Sequence, residues 1–343
     1  MPAATLPGID DVRAARQRIA GLAMVTPLLT HPALDAAAGG RILLKAESLQ
    51  RVGAFKFRGA FNRVSQVDVR RFPGGVVACS SGNHAQGVAA AASIAGIRSL
   101  IVMPADAPAL KIARTRAFGA EVHLYHRVHE DRDAIAARIA AERKADFVHP
   151  FDDAGVIAGQ GTVGIELMEQ AAVLGFLPDA VLVPCSGGGL AGGVAIAVKA
   201  ARPATMVYAV EPAGFDDMGR SLTAGAKVRN AKLSGSICDS LLAPTPGDIT
   251  FPLAQRYLAG SIAVTDDEVR YAIRFAYHEL KLVLEPGGAI ALGAVLAGRI
   301  ETKGRTTAVI LSGGNIDPAL LCEILIPEIL AQGPRVTSAT SPA

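Results

Sequence analysis

Two stretches of this chain, residues 72–97 and 180–198, contain no Asp, Glu, Lys or Arg, and they restrict the possible folds more than any other feature. A membrane span needs about twenty mainly apolar residues in unbroken helix. Here Ser80 to Gln86 interrupts the first stretch and Pro184 to Gly189 the second. Each stretch therefore reads as buried strand, tight turn, then helix. The first has Gly75-Val76-Val77-Ala78-Cys79 before its turn and Val88 to Ala95 after it. The second has Ala180 to Pro184 before and the run around Val194 to Ala201 after. Further strand-like runs fall at Arg41 to Lys45, Leu100 to Met103, Glu121 to Tyr125, Val207 to Glu211 and Thr307 to Leu311. Helical patterns include Arg132 to Arg143 and Asp266 to Leu282. Such alternation builds an α/β protein, with parallel-type twisted sheets flanked by helices and right-handed crossovers.

Size and composition agree. At 343 residues the chain has room for two domains, and 50% hydrophobic against 19% charged residues suits sheets covered on both faces. We expect a smaller domain at residues 66–149, inserted into a larger one made of 1–65 and 150–330, with the ligand in the cleft between them. Residues 331–343, rich in Pro, Ser and Thr and poor in apolar side chains, read as a disordered tail. The net charge of +3 comes with no basic run, and there is no tryptophan, so neither nucleic acid nor an anionic membrane is an expected partner. Cys79, Cys185, Cys238 and Cys322 are far apart and lack metal-type spacing, which points to reduced thiols. Met1 to Gly8 lacks the basic-then-apolar order of a signal peptide, so a cytoplasmic location is expected.

The two turns also carry chemistry. Ser80-Ser81-Gly82-Asn83-His84-Ala85-Gln86-Gly87 brings hydroxyls, an amide and backbone N–H groups to a helix N-terminus, a setting that suits a carboxylate. Ser186-Gly187-Gly188-Gly189-Leu190-Ala191-Gly192-Gly193 lets the backbone close round a phosphate, whose charge the helix dipole favours. A third turn, Ser312-Gly313-Gly314-Asn315, follows the last strand-like run. A lone lysine, Lys56, lies in Gly53-Ala54-Phe55-Lys56-Phe57-Arg58-Gly59-Ala60 among small and aromatic neighbours. Partial desolvation there would lower its pKa and leave an amine able to attack a carbonyl. The same run also reads as the start of an amphipathic helix.

Taken together and in this order, these motifs resemble the fold-type II pyridoxal-phosphate enzymes of the threonine/serine dehydratase and serine racemase group, from about Asp10 to about Ile326. The resemblance implies a two-domain, tryptophan-synthase-β-like fold and a small-molecule amino-acid substrate. It further implies pyridoxal 5'-phosphate held by Lys56 as the Schiff-base lysine, which would also serve as a base at the substrate's α-carbon. Phe55 and Asn83 would lie beside the cofactor ring, Ser186, Gly187, Gly188, Gly189 and Leu190 would cradle its phosphate, and Ser312 would partner the pyridine nitrogen. Glu285, in Leu284-Glu285-Pro286-Gly287-Gly288, matches a family glutamate near the cofactor. The residues Ser80, Ser81, Gly82, Asn83 and His84 match the loop that grips the substrate carboxylate.

A serine hydroxyl at the ring nitrogen supplies no charge, so the ring stays a weaker electron sink and loss of a β-hydroxyl becomes the easier exit. Dehydration to a 2-oxo acid and ammonia is the expected outcome, on L-threonine, L-serine or a related β-hydroxy amino acid. Ser81 leaves an alternative open. It either caps the following helix or acts as a second acid/base, as in a serine or aspartate racemase with dehydratase side activity. Ser236 to Gly247, including Asp239, departs from the racemase pattern and leaves hydroxyaspartate or a hydroxyectoine-derived amino acid in play. In Glu211-Pro212-Ala213-Gly214-Phe215-Asp216-Asp217, the residues Glu211, Phe215 (through its carbonyl) and Asp217 match a Mg²⁺ or Ca²⁺ site of metal-dependent members, with a solvated acidic turn as the plainer reading. The chain ends soon after the Ser312 turn, which leaves no room for an isoleucine-sensing domain and points to a catabolic role. A homodimer is the expected assembly.

Overall fold

The computed structural model describes residues 6–326, apart from 81, 108, 127 and 128. The expected tail, 331–343, lies outside the described residues. Among the described residues there are ten strands: β1 Leu28–Leu29, β2 Arg41–Lys45, β3 Val76–Cys79, β4 Ser99–Pro104, β5 Glu121–Tyr125, β6 Asp146–Phe147, β7 Ala180–Pro184, β8 Met206–Pro212, β9 Gly260–Val264 and β10 Thr306–Ile310. The α-helices are α1 Ile9–Ile19, α2 Pro32–Ala38, α3 Lys56–Val64, α4 Asn83–Ala95, α5 Ala109–Ala117, α6 Arg132–Arg143, α7 Ala154–Leu174, α8 Gly189–Ala201, α9 Asp217–Ala224, α10 Thr250–Tyr257, α11 Asp266–Phe275, α12 Pro286–Leu296 and α13 Pro318–Leu325.

The strands form two sheets. One has six strands in the order β1-β2-β10-β7-β8-β9, and the other four in the order β5-β4-β3-β6. Every pairing is parallel except β1 with β2. The out-of-order neighbours require crossovers, and the helices supply them.

Period-two alternation along each strand sends its side chains into two separate cores. Ile42, Leu44, Leu182 and Val309 pack under α11 and α12, whereas Leu43, Val181, Val183, Ala308 and Ile310 pack under α7 and α8. The smaller sheet behaves alike. Val76, Ala78, Ile101 and Met103 join the core with α3 and α4, and Val77, Cys79, Leu100 and Val102 meet α6. Strands buried on both faces need continuous apolar runs, which explains the uncharged stretches. Among the described residues, no helix is long and apolar enough to cross a membrane.

The seven strand-like runs all lie on strands, shifted by at most one residue at either end. Three strands lie outside the anticipated runs. β1 and β6 are two residues long, too short to leave a periodic signal, and β9 is a largely half-exposed strand paired with β8 at the end of the larger sheet, where no continuous apolar run is needed. The helical pattern expected from Asp266 to Leu282 ends sooner. After α11 the chain takes a π-helical turn over Ala276–Leu280 and then leaves through Lys281 in the left-handed region, at φ 58°. In contrast, α4 and α8 begin earlier than expected, at Asn83 and Gly189, so both polar turns run directly into first helical turns.

Candidate active site

Lys56 is the first residue of α3, and two backbone contacts fix its position against the end of β10. Phe55 donates its N–H to the Ser312 carbonyl at 3.1 Å, and Ala54 bridges Gly313. The two turns that the sequence separates by more than 250 residues are thereby stitched together. Lys56 Nζ lies 5.2 Å from the centre of the Phe55 ring and donates to the Pro150 carbonyl at 2.7 Å. Burial lowers its pKa to about 8, against the opposing pull of the Glu285 carboxylate.

Lys56, Ser80, Asn83, Gly188, Glu285 and Ser312 line one cavity between the two sheets. Phe55, Gly82, His84, Ser186, Gly187, Gly189 and Leu190 share its wall. Asn83 joins the two sides: its Nδ2 donates to Glu285 Oε1, and its Oδ1 accepts from Asn315 Nδ2 at 2.8 Å. Burial raises the Glu285 pKa to about 7, helped by the nearby Asp239 anion and opposed by the Asn83 amide. Ser80 Oγ accepts from the Gly82 N–H at 3.1 Å, which shapes the entry to α4. Ser312 is 4% exposed and its hydroxyl donates to the Gly287 carbonyl at 3.3 Å.

At the other end of the cavity, Gly188 precedes α8 with φ at 98°, in the left-handed region that glycine adopts without strain. On either side of it, Gly187 and Gly189 lie so close to Phe151 that any side chain there would collide with it. The first N–H groups of a helix have no intrahelical partner, so the opening turn of α8 presents donors and a positive dipole end to the cavity. A phosphate suits that end.

His84 behaves differently from a carboxylate-gripping cation. Its ring is 2% exposed, Nε2 lies 3.0 Å from the Val148 carbonyl, and Nδ1 is buried without a partner among the described residues. Burial, reinforced by the Lys56 charge, drives its pKa down to about 3, so the ring is neutral. Facing a carbonyl, Nε2 must carry the proton. Any hold of this loop on a carboxylate therefore comes from the hydroxyl, the Asn83 amide and backbone N–H groups. Ser81 lies outside the described residues.

Sequence reading passed over Lys111, Arg132, Pro150, Phe151 and Ser240, all of which line the same cavity. Lys111 and Arg132 belong to surface helices whose local pattern is ordinary, and only folding brings them to the cleft. Phe151 offered a faint signal, as a bulky aromatic in the turn His149-Pro150-Phe151-Asp152-Asp153 just before a glycine-rich helix.

Glu211 and Asp217 are far along the chain from these groups and sit beside one another in the fold. Glu211 closes β8, and its carboxylate accepts from the Met218 and Gly219 N–H groups, each at 2.9 Å, and from the Ser261 hydroxyl. Asp217 Oδ1 accepts from Asn230 Nδ2 at 2.7 Å, while Oδ2 is buried and has no partner among the described residues. Burial raises Glu211 to about 8 and Asp217 to about 6, and the Asp217 charge adds to the shift of Glu211. Among the described residues no group of three or more His, Cys, Asp or Glu side chains could hold a metal ion.

Residues 19–313 match the family model described as pyridoxal-phosphate dependent enzyme. The chain is 39% identical to an L-threonine ammonia-lyase of Thermotoga maritima over 330 residues, covering 96% of this chain and 80% of that one. It is 36% identical to a serine racemase of Dictyostelium discoideum, covering 92% and 97% respectively. Among solved structures, a T.th. threonine deaminase superposes with a TM-score of 0.86 at 44% identity, covering 91% of this chain and 99% of that one.

Proposed function

This chain belongs to the family of pyridoxal-phosphate dependent enzymes, and on that premise we propose that it is an ammonia-lyase of the threonine/serine dehydratase type. It would convert L-threonine, L-serine or a related β-hydroxy amino acid to a 2-oxo acid and ammonia. One observation carries the reading: a buried lysine with its pKa lowered to about 8 shares a cavity with an uncharged serine hydroxyl and an open glycine turn. That set fits an aldehyde cofactor bearing a phosphate. Lys56 Nζ would hold its aldehyde carbon, the first turn of α8 from Ser186 to Leu190 its phosphate, Phe55 and Asn83 its ring, and Ser312 its ring nitrogen. When bound, pyridoxal phosphate supplies an electron sink for charge developing at the substrate's α-carbon.

The protein's own groups do the rest. Ser80, Gly82 and Asn83 at the N-terminus of α4 receive the substrate carboxylate and orient the α-carbon. Lys56, its pKa lowered by burial, is the amine placed to take the α-proton. Ser312, a hydroxyl in place of a carboxylate, would offer the ring nitrogen a hydrogen bond and no charge, so the cofactor would be a weaker electron sink and loss of a β-hydroxyl the easier exit. Water leaves, another water is consumed as the nitrogen departs, and the net products are the 2-oxo acid and ammonia. Glu285, pinned by Asn83, orients that amide. We read residues 66–149, which hold the smaller sheet, as the small domain, the assembly as a homodimer and the location as cytoplasmic.

We also assign Mg²⁺ or Ca²⁺ to the turn after β8. Asp217 Oδ2, buried and without a partner, supports this, and with Glu211 and the Phe215 carbonyl it makes a hard-oxygen donor set of the kind that water completes.

The test is release of 2-oxo acid from a panel of β-hydroxy amino acids, with chiral analysis of the remaining substrate. Threonine or serine should yield 2-oxobutyrate or pyruvate with little inversion. Fast inversion with slow release would instead support the racemase reading, and Ser81→Ala should then abolish it.

A further inference from the structure

Pro150 and Phe151 line the cavity from the middle of the turn His149 to Asp152, where the chain passes from the smaller sheet into α7. Pro150 supplies the carbonyl that receives Lys56 Nζ, and the Phe151 ring fills the notch beside Gly187 and Gly189. The Asp152 N–H donates to His149 Nδ1 at 2.8 Å, which sets the turn. Its carboxylate faces away from the cavity and closes on a second helix. Oδ2 accepts from the Asp248 N–H at 2.8 Å, and Oδ1 accepts from Ile249 at 2.8 Å and Thr250 at 3.3 Å, so that the two amides leading into α10 and the first of the helix are taken. Gly247 must be glycine here, since a Cβ would collide with Asp152 Oδ1.

The next link runs back to the glycine turn. Thr250 Oγ1 donates to the Gly187 carbonyl at 2.5 Å and accepts from the Gly247 N–H at 2.9 Å. With that carbonyl engaged, the peptide between Gly187 and Gly188 cannot rotate, and the Gly188 N–H is held on the opposite side. A peptide plane turns as a unit, so fixing one end fixes the other. The opening of α8 is a glycine run with little rigidity of its own, and this anchoring supplies it.

We infer that Asp152 is a positioning residue. Its carboxylate clamps the start of α10, holds Thr250 against the Gly187 carbonyl, and so fixes the orientation of the turn that receives the cofactor phosphate. The inference rests on the pyridoxal-phosphate reading of this cavity. Two helix N-termini then have separate anions: Asp152 on α10, and the phosphate on α8.

The test compares apoenzyme binding of pyridoxal phosphate with that of pyridoxal, which keeps the aldehyde and lacks the phosphate, by absorbance titration of wild type, Asp152→Ala, Asp152→Asn and Thr250→Val. Asp152→Ala and Thr250→Val should weaken pyridoxal phosphate at least about tenfold, the order expected of a small misplacement of binding groups, and leave pyridoxal within about twofold. Asp152→Asn keeps one acceptor oxygen and should fall between. Equal losses for both compounds, as from general loosening, would overturn the inference, and so would unchanged binding of pyridoxal phosphate. If Asp152→Ala does not fold, Asp152→Asn decides the role of Asp152 by the same comparison, an unchanged preference for pyridoxal phosphate overturning it, while Thr250→Val tests the link to Gly187 with the clamp on α10 in place. A wild-type chain that takes up neither compound on Lys56 would overturn the cofactor reading as well.

Discussion

Lys56 and Glu285 are coupled electrostatically, and their pKa values make the coupling measurable. Burial lowers Lys56 to about 8, while the Glu285 anion pulls the other way by favouring the ammonium form. Only the neutral amine attacks an aldehyde, so uptake of pyridoxal phosphate by the apoenzyme should speed up as pH rises, with a midpoint near 8. Replacing Glu285 with Gln removes the anion but keeps an oxygen for Asn83, and the midpoint should move to lower pH. A stopped-flow pH series on both proteins reads this, and an upward move would contradict the coupling. Lys56→Ala should leave no covalent adduct after borohydride reduction, checked by mass spectrometry of a digest. Both residues are legible in the sequence. The neighbours of Lys56 imply its lowered pKa, and the Glu-Pro-Gly-Gly setting marks Glu285. That Glu285 meets Asn83 and acts on Lys56 is not legible there, because 202 residues separate Asn83 from Glu285.

Single elements show where anion and cation sites arise. α4 and α8 each begin inside a polar or glycine turn, so their first amides open on the cavity. The start of α9 is closed by Glu211, whose two oxygens accept from Met218 and Gly219. This leaves Asp217, the first residue of α9, with one buried oxygen unanswered. A bound divalent cation would answer it. Thermal unfolding should therefore shift upward with Mg²⁺ or Ca²⁺ and downward with a chelator. By mass action the gain is about 2.7 kcal/mol at a free cation concentration about a hundred times the dissociation constant. Asp217→Asn should lose most of the response while folding normally, because Oδ1 still accepts from Asn230. An unchanged cation response in that variant would remove the assignment.

At the scale of the whole molecule, a buried cluster of charges ties together segments that precede and follow the smaller sheet. Arg58, wholly buried, donates to both oxygens of Glu47 and both of Glu166, and Lys45 Nζ reaches Glu166 at 2.7 Å and the Thr26 carbonyl at the same distance. Burial opposes the charge on Arg58, yet the Glu47 and Glu166 carboxylates hold its pKa above the ordinary guanidinium value. The cluster ties α3, which carries Lys56, to α7, so the chain closes on itself after forming the smaller sheet. Removing one partner strands the others as uncompensated buried charges. Arg58→Met should cost about 3–5 kcal/mol in unfolding free energy, measured with urea. A loss below about 1 kcal/mol, the range of exposed pairs, would show that water reaches the cluster.

Local pattern was enough for the strands buried on both faces, the helices that follow them and the three turns, because apolar periodicity and glycine placement act over a few residues. It could not reveal that β9 forms an edge, that Lys111 and Arg132 turn toward the cleft, or that His84 is neutral and tied to Val148. Nor could it show that Phe151 and Asp152 brace a glycine turn on another element. Those facts depend on which surfaces meet after the chain has crossed over and returned, and on the desolvation that follows. Desolvation is a property of the packed whole, so the chemistry of each side chain could be named in advance while its charge state and its neighbours were decided only by the fold.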